Sequence, residues 1–244
     1  MVPDEKIKTF VEKVRAAAGG NLQSVILYGS AASGDYHPEF SDVNLFCVLR
    51  DCSYASLRAL APVTRWWNRQ KQPPPLLMTG DELAQSREVF AIELTDMVQH
   101  HRVLWGEDPI TALKIPLHLH RVQVEYELRE KSLLLRQHLL LAGDDERRLR
   151  ELLLRSLPSF TTLFRHALIA LGESAPATRR EAVDRLSARL GFDPAPLQEL
   201  LDVRERKAQT RKLRAAAIVG PYLAAVDKVT AAVDKIAETD ASGD

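Results

Sequence analysis

Apolar residues recur at three- and four-residue intervals over Asp4–Ala18. Ile7, Phe10, Val11 and Val14 fall on one face and Gly19-Gly20 ends the run, which predicts an amphipathic helix. The pattern then changes to unbroken apolar runs, Ser24–Tyr28 and Val43–Leu49, predicting two buried strands. Ser53 is placed to cap a helix over Tyr54–Arg69 that contains Pro62. Trp66 and Trp67 near its end are read as core. The stiff Pro73-Pro74-Pro75 leads into a third strand, Leu76–Met78, and Asp81–Ser86 reads as a short helix. The apolar run Val89–Ile92 predicts a fourth strand ending at Glu93. Met97–His101 reads as helical, and Val103–Gly106 as a short edge strand.

Beyond Pro116 no strand pattern survives. Helices are expected over Leu117–Leu141, with Leu117, Val124, Leu128, Leu135 and Leu139 on one side, and over Glu146–Leu171, Thr178–Leu190, Pro196–Arg206 and Arg214–Glu238. Five helices on short connections predict a bundle. The expected fold class is therefore α+β: a small mixed β-sheet with flanking helices, followed by an all-α helical bundle. The domain boundaries expected are 1–109 and 110–238, with a frayed polar tail at 239–244.

Composition narrows the partners. The 33 basic and 33 acidic side chains cancel. Residues 1–110 carry 11 basic against 14 acidic groups and the remainder 22 against 19, so neither half demands a nucleic-acid partner. No apolar run reads as the roughly 18 residues of a membrane span, and the N-terminus has no apolar leader core. Cys47 and Cys52, five residues apart across a strand end, are not placed for disulfide geometry, and a reducing cytoplasm is the expected compartment.

The chemistry gathers in Ser24–Leu49. The first strand ends at Gly29-Ser30, where glycine permits a sharp turn and the following small residues leave backbone N–H groups available to an anion. A polar loop, Gly34–Ser41, leads to Asp42-Val43-Asn44 at the head of the second strand. Residues two apart share a strand face, so Asp42 and Asn44 are expected to project together. An apolar strand ending Gly-Ser, a gap, then acid-apolar-acid in the next strand resembles the nucleotidyltransferase superfamily, which includes polymerase beta and the aminoglycoside nucleotidyltransferases. Asn44 stands where that pattern has its second carboxylate.

The resemblance implies a nucleoside triphosphate substrate, with Gly29 and Ser30 holding phosphates. It implies Mg²⁺ (or Mn²⁺), with Asp42 and Asn44 as its ligands. Asp42 and a later carboxylate would be catalytic; Glu93 is the choice for the latter and Asp96 the reserve. The reaction implied is transfer of a nucleoside monophosphate to a hydroxyl of a small molecule or protein. Asn44 offers an oxygen without charge, which argues against full two-metal catalysis. The alternative is a catalytically impaired nucleotidyltransferase-fold protein that acts as a nucleotide-binding or regulatory module. The histidines lack the spacing of helical metal pairs and are read as structural. The run Arg204–Arg214, six basic residues against one acid, is read as a solvated helix face. Arg129, Arg136 and Arg165 are read as bundle ion pairs, with triphosphate contact as the alternative.

Overall fold

The computed structural model of the chain describes residues 3–33 and 42–241, so the expected loop Gly34–Ser41 lies outside the described residues. Two compact units emerge, Met1–Pro116 and Leu117–Asp244. Asp108-Pro109, the boundary read from sequence, falls within the first of them.

The first unit opens with α1 (Asp4–Ala18) and continues through β1 (Leu22–Tyr28), the single turn α2 (Ser30–Ser33) and β2 (Asn44–Leu49). It is completed by α3 (Tyr54–Arg69), β3 (Leu76–Thr79), α4 (Gly80–Gln85), α5 (Ala91–Gln99) and β4 (His101–Gly106). The sheet order is β3-β2-β1-β4. β1 pairs antiparallel with β2 and β4, whereas β2 and β3 run parallel, so the sheet is mixed.

The unbroken apolar character of β1 and β2 follows from burial on both faces. Val25, Leu27, Leu45, Cys47 and Leu49 pack with α1 and α3, through Phe10 and Trp67 among others. Ile26, Phe46 and Val48 pack on the opposite side with Leu83, Leu94 and Met97 from α4 and α5. Trp67 is fully buried, its ring centroid 5.0 Å from that of Phe10. Trp66 is half-buried under Lys13. Cys47 and Cys52 are both free. Burial pushes the Cys47 thiol up to about 12, which leaves it unreactive at neutral pH.

One expected strand is not formed. Val89–Ile92 instead crosses from a 3-10 turn, Ser86–Glu88, into α5. Ala91, Leu94 and Met97 recur at helical spacing and are buried, whereas Val89 and Phe90 are exposed. A four-residue apolar run fits either period, and burial at helical spacing decided it. α5 also ends at Gln99, leaving His101 to open β4.

His101 fastens that edge strand to the chain that follows it. Its Nδ1 meets the Met97 carbonyl at 2.7 Å and its Nε2 meets the Asp108 carboxylate at 3.0 Å. Asp108 also accepts from the backbone N–H of Ile110 and Thr111 and from the Thr111 hydroxyl. Burial alone would raise the Asp108 pKa, but these donors outweigh it and hold the carboxyl well below the usual carboxylate range. A depressed carboxylate stabilises the fold fully above its unfolded pKa of about 3.9 and loses that contribution as pH falls through the folded value. Asp108→Asn is therefore expected to lower the melting temperature most near neutral pH. The gap from wild type should close toward pH 2, and melts across that range check it.

The second unit comprises α6 (Leu117–Ala142), α7 (Glu146–Ala170), α8 (Arg179–Leu190), α9 (Ala195–Arg204) and α10 (Ala215–Ala241). Asp145 and Thr178 cap α7 and α8, and Gly191, in the left-handed region, closes α8. Val124, Leu128 and Leu135 of α6 are buried as the periodicity predicts, but Leu117 is exposed. His120 of α6 and His166 of α7 are both buried, and their ring nitrogens lie 2.9 Å apart. α10 departs from two expectations. It continues through Pro221 to Ala241, past the expected start of the tail, and Ser242–Asp244 lies outside the described residues. Its stretch Ala215–Ile236 is also long and apolar enough to cross a membrane, contrary to the sequence reading. Ile218, Tyr222, Ala225, Val226, Val229 and Val233 are buried in this unit, which is the character of a core helix.

Candidate functional site

The site is built where β1 and β2 meet at one end of the sheet. Gly29 follows β1 with φ at +71°, a conformation that side chains rarely adopt. Its carbonyl accepts from the N–H of Ala32 at 2.9 Å, turning the chain into α2 with Ser30 at its head. A methyl group on Gly29 would stand 3.0 Å from Nδ2 of Asn44. The two motif residues, well separated along the chain, are thus in contact, and absence of a side chain at Gly29 is what lets Asn44 close over the turn.

Asn44 is the first residue of β2 and pairs with Tyr28. Paired residues share a sheet face, here the face that packs against α5. Burial raises the Tyr28 phenol pKa, and the negative charge of Glu93 raises it further. Glu93 is therefore within electrostatic reach of Tyr28, the strand partner of Asn44. Glu93 is exposed, and it comes from the first turn of α5, not from a strand. Asp96, the reserve, lies one turn on in the same helix and is half-buried.

Asp42 is exposed and lies two residues before the first residue of β2. Its position is anchored by the next residue. Val43 is fully buried, and its N–H donates to Gln72 Oε1 at 2.7 Å. Gln72, past the end of α3, gave no sign in the sequence of touching this site; its only local mark is its place just before three prolines.

The donors available to a divalent ion are the Asp42 carboxylate and the Asn44 carbonyl. Both are hard oxygen ligands suited to Mg²⁺, but only one carries charge. No cluster of three histidine, cysteine or acidic side chains forms among the described residues. The oxygen set fits one ion completed by phosphate oxygens better than a cage made by protein alone.

Arg129 and Arg136 are occupied within the helical unit. Arg129 bridges Glu125 and Asp234, and Arg136 pairs with Asp227 at 2.8 Å, so both tie α6 to α10 as bundle ion pairs. The basic run after Arg204 is not a helix face. It forms a loop with a 3-10 turn at Thr210–Lys212, and Arg204 itself donates to the Leu154 carbonyl at 3.0 Å.

Comparison with known proteins adds independent support. No curated protein matches the sequence. Residues 7–96 match the family model of the nucleotidyltransferase domain. That span runs from α1 into α5 and includes Gly29, Ser30, Asp42, Asn44, Glu93 and Asp96. Among solved structures, the chain is similar to spectinomycin adenyltransferase AAD(9) from Enterococcus faecialis, solved with ATP and spectinomycin. The TM-score is 0.57 at 14% identity, covering 94% of this chain and 98% of that one. At such identity the likeness is one of fold, a nucleotidyltransferase sheet followed by a helical unit. A toxin-antitoxin structure with AMP-PNP aligns over 41% of this chain and 74% of that one, at 18% identity and a TM-score of 0.29, too low to carry an argument. The first compact unit of this chain therefore contains a nucleotidyltransferase domain, spanning residues 7–96.

Proposed function

We propose that the protein transfers a nucleoside monophosphate, with ATP the first donor to test, to a hydroxyl group of a small molecule. The observation that carries this reading is the packing of Asn44 on the Gly29 turn. It joins the phosphate-binding and metal-binding halves of the motif at one end of the sheet, inside the matched domain. The backbone N–H groups after Gly29, together with Ser30, hold phosphate oxygens. Asp42, with the carbonyl of Asn44, holds a divalent ion. When bound, that ion neutralises charge on the triphosphate.

In the transfer, the acceptor hydroxyl oxygen bonds to the α-phosphorus while the bond from that phosphorus to the bridging oxygen breaks. Pyrophosphate leaves with that electron pair. The hydroxyl proton passes to a carboxylate, and Glu93 is the group assigned to receive it. A small molecule is favoured as acceptor because the fold matches that of an adenyltransferase whose structure holds one.

A second reading, a nucleotide-binding module without efficient transfer, is motivated by Asn44 alone. Calorimetry with ATP and assay of labelled AMP transfer to spectinomycin and other hydroxylated small molecules separate the two. Magnesium-dependent binding is expected, and Asp42→Ala should weaken it at least ~10-fold, the scale on which disturbed metal ligation is felt. Binding without transfer to any acceptor would assign the module reading. No ATP binding at millimolar concentration, with or without Mg²⁺, would rule out both.

A further inference from the structure

The helical unit holds a groove between α6 and α7 of about 580 Å³, within the size range of small-molecule sites. Its apolar lining includes Leu135 and Phe160, both buried, and Leu134 and Leu141, which stand 46% and 76% exposed on its rim. Leucines left open beside a concave surface are the kind of apolar area that a ligand covers.

The charges along the groove do not balance. Glu151 is answered by Arg147 at 3.1 Å and Lys131 by Glu127 at 2.6 Å, while Arg148 lies 3.5 Å from Asp145. Arg155 also lines the groove, and it has no ion pair or hydrogen bond among the described residues. Ser159, one turn further along α7, likewise has a hydroxyl with no partner among them. A guanidinium and a hydroxyl four residues apart on one helix face suit a carboxylate, which accepts from both. With the other charges answered in pairs, Arg155 leaves the groove one positive charge in excess, which disfavours a polycationic ligand.

We propose that this groove binds an amphiphilic carboxylate, its head on Arg155 and Ser159 and its apolar body along Leu134, Leu135, Leu141 and Phe160. All of these residues belong to α6 and α7, so the proposal stands independently of the nucleotide chemistry assigned to the first unit.

The test is calorimetry of the full chain with dodecanoate, dodecylammonium and dodecanol, each below its micelle-forming concentration. Dodecanoate is expected to bind at one site, at least ~10-fold more tightly than dodecylammonium, the scale of a charge-assisted hydrogen bond. Arg155→Glu should reverse that preference. Leu141→Ser should weaken dodecanoate and dodecanol alike. Both positions are exposed, so unchanged melting of the apo variants checks that the fold survives. Equal binding of the two charged probes, several weak sites in place of one, no measurable heat, or an unaltered preference in Arg155→Glu would each overturn the proposal.

Discussion

Gly106→Ala is expected to be the most destabilising single substitution of those considered, costing roughly 3 kcal/mol or more against a typical total of about 5–15 kcal/mol. Gly106 ends β4 opposite Ser24 of β1, with φ at +83°. A methyl group there would lie 2.0 Å from the carbonyl oxygen of Gln23 and 3.0 Å from Cα of Ser24. Both neighbours are backbone of the central strand, so no flexible side chain can yield. The accommodation left is to lift β4 from β1, which breaks the ladder from Tyr28 to Ser24. Gly172→Ala is the natural control. Its φ is +81°, yet a methyl group there meets nothing within 4 Å. That substitution should cost only the left-handed backbone strain, about 1–2 kcal/mol. Denaturant or thermal melts, reading the transition of the unit that carries each change, compare the two. Equal losses would mean that the close approach of β4 to β1 is not what makes Gly106 necessary.

Asn44→Asp should change the response to divalent metal more than any other single substitution. It restores a carboxylate two residues from Asp42, at the end of the sheet where the charge of Glu93 already reaches Tyr28. Without metal the added charge is repelled, by about 1–4 kcal/mol at the effective dielectric of a partly wet site. A bound divalent ion attracts both carboxylates, and a ligand that binds only the folded state stabilises it. The variant should therefore melt below wild type in chelator and at or above it in Mg²⁺, with nucleotide transfer increased. The competing role for Asn44 is structural. Its amide packs against Gly29, and aspartate cannot donate through that end. If that role dominates, the loss will be equal in chelator and in Mg²⁺, and the position is no dormant metal ligand.

Much of this follows from local pattern. The helices over Asp4–Ala18, Tyr54–Arg69 and Arg179–Leu190 lie close to where periodicity and capping put them, since both signals are written within a few neighbouring residues. Gly29-Ser30 and Asp42-Val43-Asn44 were legible for the same reason: the motif needs two strands and a turn, and each announces itself locally. Tertiary structure decided what depends on partners distant in the chain. The Val89–Ile92 run became helix because Leu94 and Met97 had a sheet face to cover, and that burial put Glu93 in the first turn of α5 and not at a strand end. Arg129 and Arg136 were drawn to Asp234 and Asp227 when α6 met α10. The contact of Asn44 with Gly29 and the need for glycine at 106 arise from backbone approaches between strands. No periodicity encodes such approaches, because they exist only once β1 has paired with both neighbours.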